Sequence, residues 1–174
     1  MPPDVAALRT ILVVDDEIGV RHAITRLLED AGYKVVSTNN GRRALEILKE
    51  QAVDVILTDH HMPDLSGIDL LKLVRVRHPQ VVRMILTADK QPDVPVRSIN
   101  EGEVYRFIQK PWNNSDLRTI MHFAFEALRL EREKQRMSQA RGDGKPPVPG
   151  ASPDDPAGLE RELLLLAEDE MRRS

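Results

Sequence analysis

The sequence predicts an α/β fold, a five-stranded parallel sheet with helices on both faces. Three observations carry the prediction. Short runs rich in β-branched residues alternate with stretches of helical periodicity. The central runs hardly interleave polar residues, as strands covered on both faces do. Five strand–helix units fit residues 8–130, and such units close by right-handed crossovers into a parallel sheet.

The first strand is expected over 10–14 (TILVV), and the weaker second over 34–38 (KVVST). The third is expected over 53–57 (VDVIL), the fourth over 81–86 (VVRMIL) and the fifth over 104–108 (VYRFI). Between them, 18–31 sets Ile24, Leu27, Leu28 and Ala31 at helical spacing, with Gly32 as the stop signal. Residues 41–51 repeat the pattern with Ala44, Leu45 and Leu48, and 68–77 with Leu70, Leu71 and Val74, halted before Pro79. Pro92 and Pro95 make 91–101 a short or irregular helix at best. A long helix is expected over 114–140, with Leu117, Ile120, Met121, Ala124 and Leu128 on one stripe. Its end, 131–140, is a charged extension in which i,i+3 and i,i+4 pairs support a solvated face. Residues 141–158 read as a Pro/Gly-rich linker, and 159–173 as a short amphipathic helix with Leu159, Leu163 and Leu166 on one side.

Composition removes whole classes of function. With no cysteine, disulfides, thiol catalysis and cysteine-held metals are excluded. A net charge of -3 argues against a protein that coats nucleic acid, and no nucleic-acid partner is expected. The opening residues MPPDVAALRT lack the basic and apolar regions of a signal peptide. No apolar run approaches the roughly 18 residues that cross a bilayer. A cytoplasmic protein with no membrane partner is the expectation.

In an open parallel sheet, ligands bind beyond the carboxyl ends of the strands. Asp15, Asp16 and Glu17 follow the first strand, Asp59 the third, Thr87 the fourth and Lys110 the fifth. Carboxylates, a hydroxyl and an ammonium thus converge on one edge. Clustered carboxylates favour a hard divalent cation, and Mg²⁺ needs only one or two of them besides water and a phosphate oxygen. A carboxylate can also attack phosphorus to give an aspartyl phosphate. Lys110 and the metal would offset charge on the transferring group, and Thr87 could hydrogen-bond it.

Four blocks, ILVVDDE (11–17), LTDHHMPDLSG (57–67), ILTA (85–88) and FIQKP (107–111), resemble the signature of response-regulator receiver domains of two-component signalling. The segment RFIQKPW (106–112) is further similar to receivers attached to cyclic-di-GMP hydrolases or to hydrogenase-type transcription activators. No output domain of either kind is read after the long helix. The resemblance implies a flavodoxin-like sheet of order 2-1-3-4-5. It implies that Asp59 is the phosphoacceptor, and that Asp15 and Asp16 form the acidic Mg²⁺ pocket, with Asp16 the more direct ligand. It also implies that His61 offers a backbone carbonyl to the metal, that Thr87 and Lys110 read the phosphoryl group, and that Phe107 is the aromatic switch. Lys110–Pro111 would be a cis peptide. The implied donor is a sensor histidine kinase or phosphotransfer protein. The implied output is a changed face on the 91–101 segment, the fifth strand and the last helix, which binds a downstream protein or a second copy of the chain. Only slow self-hydrolysis is expected, not enzymatic turnover.

Plainer readings exist for several residues. His60 and His61 are adjacent, so their side chains diverge, and no further ligand follows at i+3 or i+4; an imidazole metal site is not expected. Phe107 also suits a core aromatic, and Trp112 a packing residue. Gly67 is expected in a turn. His61 and Asp89, beside the acceptor in sequence, are hypothesised to tune phosphoryl lifetime by controlling attacking water.

Overall fold

The computed structural model describes residues 9–88 and 104–140. Five strands, β1 (Thr10–Val14), β2 (Lys34–Thr38), β3 (Val55–Asp59), β4 (Val82–Thr87) and β5 (Arg106–Gln109), form one parallel sheet of order β2-β1-β3-β4-β5. The described helices are α1 (Ile18–Asp30), α2 (Gly41–Glu50), α3 (Gly67–Arg77) and α4 (Asn114–Ala140). The expected irregular helix over 91–101, Asp89, and the linker and terminal helix over 141–173 lie outside the described residues. No described helix is long and apolar enough to cross a membrane.

β1 and β3 are buried along their whole length, which accounts for their unbroken apolar runs. Alternate strand residues serve opposite faces. Ile11, Val13, Val55, Leu57, Met84, Leu86 and Ile108 meet Ile24, Leu27 and Leu28 of α1 and Leu117, Met121, Ala124 and Phe125 of α4 in one cluster. Leu12, Ile56 and Ile85, equally buried, serve the other face, where α2 and α3 pack together.

Local chemistry sets the helix ends. α1 closes with Gly32 at φ 91°, where Gly32 N–H donates to Glu29 O at 2.9 Å and Tyr33 N–H to Leu28 O at 3.1 Å. That pair of hydrogen bonds is the glycine-terminated helix stop the sequence signalled. Asn40 and Ser66 cap α2 and α3 by accepting from Arg43 N–H and Asp69 N–H. Asn113 caps α4 by accepting from Ser115 and Asp116.

The strands nearest the site end later than the apolar runs suggest. β3 runs on to Asp59 and β4 to Thr87, because the ladder continues through Asp59 opposite Leu86 and Thr87 opposite Gln109. The polar side chains are therefore the last strand residues rather than the first loop residues. β5 starts only at Arg106; Val104 and Tyr105 lead into it.

Candidate functional site

Three strand ends build the site. β1 runs into Asp15, fully buried, and then Asp16, exposed. Asp15 is fixed on three sides: its N–H donates to Thr38 O, its Oδ1 accepts from Glu17 N–H at 2.9 Å, and its Oδ2 accepts from Lys110 Nζ at 2.9 Å. β3 delivers Asp59, buried at its last position. Lys110, just past β5, reaches Asp59 Oδ1 at 2.8 Å and stands 3.8 Å from Glu17 Oε1. Its own N–H donates to Thr87 O at 2.7 Å, which ties the lysine to the end of β4. Thr87 itself is buried. The Lys110–Pro111 peptide is cis, as expected from the resemblance.

A carboxylate from each of Asp15, Asp16 and Asp59 places an oxygen within 4.8 Å of the other two. An all-oxygen donor set with pooled negative charge suits a hard cation such as Mg²⁺, which completes its shell with water. These residues therefore fit that ion. Burial pushes the Asp59 carboxyl above the usual carboxylate range; the Lys110 hydrogen bond opposes the rise, and the charges of Asp15 and Asp16 add to it. Burial alone would lower the Lys110 ammonium, but its bonds to Asp59 and Asp15 outweigh that and raise it. A desolvated carboxylate beside one ammonium is thus short of positive charge, and a divalent cation would supply it.

The other expected residues are placed as follows. His61 is exposed, and its ring lies 4.3 Å from that of His60, so the two side chains do not diverge as expected. Phe107 is half-buried on β5, paired with Ile85 of β4. Two features escaped the sequence reading. Gly67 was expected in a turn, but it begins α3 against the backbone at the end of β3. A Cβ there would stand 2.0 Å from the Asp59 carbonyl oxygen, while its N–H donates to His60 O at 2.9 Å. Arg21, on α1, donates from Nη1 to the carbonyl oxygens of Asp15 at 2.6 Å and Asp16 at 3.2 Å. Its only sequence signal was a cation one helical turn beyond an acidic cluster.

Comparison with known proteins agrees with this geometry. The sequence profile of the response regulator receiver domain matches residues 11–122. The chain is 34% identical over 128 residues to the hydrogenase transcriptional regulatory protein HoxA of Cupriavidus necator, covering 74% of this chain and 26% of that protein. It thus spans about a quarter of the length of the curated relatives it matches. Among solved structures, it resembles the signal receiver domain of an HD domain-containing protein from Pseudomonas fluorescens Pf-5. That likeness has 30% identity and a TM-score of 0.67 over 72% of this chain and 92% of that one. It also resembles response regulator protein TrrA from Thermotoga maritima in complex with Mg²⁺ and BeF, with 25% identity and a TM-score of 0.61 over 67% of this chain and 98% of that one.

Proposed function

The chain belongs to the response regulator receiver domain family, and from that premise we propose that Asp59 accepts a phosphoryl group from a histidine kinase or phosphotransfer protein. The observation that carries this reading is Lys110, which bridges Asp15 at 2.9 Å and Asp59 at 2.8 Å although it lies far from both in sequence. An Asp59 oxygen forms the new O–P bond as the P–N bond to the donor imidazole breaks. Lys110 orients the acceptor carboxylate and offsets charge on the transferring group. Asp16, Asp59 and the His61 carbonyl, with Asp15 beside them, would hold Mg²⁺, which would supply charge neutralisation at the transferring group. The phosphoryl group adds about 1.5 to 2 negative charges at neutral pH and draws the Thr87 hydroxyl and the Lys110 ammonium toward it. Half-buried Phe107 sits one strand over and turns inward with that rearrangement.

The receiver is assigned to 8–130, and 131–140 to a charged extension of its last helix. The output is a changed protein–protein contact in the cytoplasm, with no turnover beyond slow self-hydrolysis. Incubation with Mg²⁺ and an acyl phosphate or cognate kinase should add one phosphoryl group, read by intact mass, and Asp59→Asn should take none. Undiminished labelling of that variant sinks the reading.

A second output is favoured by one observation. α4 runs 27 residues to Ala140 and exposes Phe123, Leu130 and Met137, spaced seven apart. That row suits self-association through the last helix, acting on transcription or on an enzyme in trans. Mass in solution with and without an acyl-phosphate mimic separates the two: a monomer in both states removes the second.

A further inference from the structure

We propose that Arg21 is a positioning residue for the cation pocket, holding the Asp15–Asp16 turn so that both carboxylates stay beside Asp59. The inference rests on the Mg²⁺ reading above and adds to it a residue outside the acidic set. Two adjacent carboxylates and a third within 4.8 Å repel one another, so a cation-free turn tends to swing the exposed member away. Asp15 resists through its own contacts: it is buried, and both of its carboxylate oxygens are hydrogen-bonded. Asp16 is exposed, so its place depends on the backbone that carries it.

Arg21 acts on that backbone. One guanidinium nitrogen donates to two successive carbonyl oxygens, of Asp15 at 2.6 Å and of Asp16 at 3.2 Å. These bonds fix the peptide planes on both sides of the Asp16 Cα and so fix the direction of its side chain. They also bring a permanent positive charge to the acidic turn while leaving the carboxylate oxygens for the cation. The α1 backbone supports the arrangement, because Arg21 N–H donates to Glu17 O at 3.1 Å across the first helical turn. Loss of one charge-assisted bond of this kind corresponds to roughly a tenfold change in an equilibrium constant, about 1.4 kcal/mol.

The test is a Mg²⁺ titration of the full chain, followed through Trp112 fluorescence and confirmed by calorimetry. Trp112, the chain's single tryptophan, is half-buried two residues beyond Lys110. Arg21→Ala should raise the Mg²⁺ dissociation constant about tenfold. Acyl-phosphate labelling at saturating Mg²⁺ should remain at the parent level. Arg21→Lys, which keeps the charge but loses the planar fork, should recover part of the affinity. The proposal is overturned by an Arg21→Ala dissociation constant within twofold of the parent, or by a labelling defect that saturating Mg²⁺ does not repair. Asp16→Asn separates this from failure of the pocket itself. If Asp16→Asn leaves Mg²⁺ binding intact, the acidic-pocket reading falls and takes the Arg21 role with it. If Asp16→Asn weakens binding and Arg21→Ala does not, only the Arg21 role falls.

Discussion

At the scale of single residues, the site sets charge against solvation. Asp59 lies at the end of a buried strand, and in the absence of a cation its carboxyl titrates above the unfolded value of 3.8, because burial outweighs the Lys110 bond. Folding therefore favours the protonated form. That contribution is fully present below the unfolded value and is lost as pH rises through the raised folded value, so stability declines across that window. In metal-free protein, Asp59→Asn should remove this decline and leave the variant more stable than the parent at neutral pH. Denaturant titrations in chelator across a pH series check this; parallel pH profiles for the two proteins would contradict it. Of this residue-level picture, the sequence already held the identities. Acids, hydroxyl and lysine at strand ends were legible because strand termini follow from hydrophobic patterning. The contrast between buried Asp15 and exposed Asp16 was not legible, since adjacent acids look alike until a sheet surrounds one of them.

At the scale of elements, the β3–α3 loop carries the tightest constraint. Asp64 adopts φ 69° while Leu65 N–H donates to Pro63 O at 2.8 Å, a three-residue turn that reverses the chain. Ser66 then caps α3, and Gly67 rests against the Asp59 carbonyl. A methyl group at Gly67 would overlap backbone, which has no flexible end to move aside. Gly67→Ala should cost about 1–3 kcal/mol or more and, on the proposed function, slow phosphoryl acceptance by displacing the end of β3. Thermal melts and acyl-phosphate labelling measure the two effects; a variant that melts and labels like the parent would refute the steric argument. From sequence alone the glycine signalled a turn, and a turn does follow Asp59. That its missing side chain matters through a close approach to strand backbone depends on how α3 docks, which no local pattern encodes.

At the scale of the molecule, the long helix is coupled to the far end of the sheet. Arg132 pairs with Asp54, whose other oxygen accepts from Thr10 N–H at 2.9 Å, so the charged extension is tied to the starts of β1 and β3. Tyr33 stacks on Phe125 with centroids 5.0 Å apart and joins the α1–β2 connection to the same helix. Leading into the extension, Arg129 bridges Glu126 and Glu133. Arg132→Ala should cost no more than about 1 kcal/mol, as partly exposed pairs do, yet speed amide exchange over 131–140 while the core strands keep their protection. Unchanged exchange in that stretch would show that the extension stands without the tie. In the sequence, these charges read as a solvated face, and most of them are one. The exception needed a partner 78 residues away.

The sequence by itself determined the order of elements, the parallel sheet, the strand ends that carry chemistry, and the kinship they imply, because hydrophobic periodicity, glycine stops and strand-end polar residues are all local properties of the chain. Only the tertiary structure decided that Lys110 holds Asp15 and Asp59 together, that Gly67 must lack a side chain, and that Arg21 and Arg132 serve particular backbone and carboxylate partners. Those facts depend on distances between segments far apart in the chain, and such distances arise only when crossovers and packing bring the segments together.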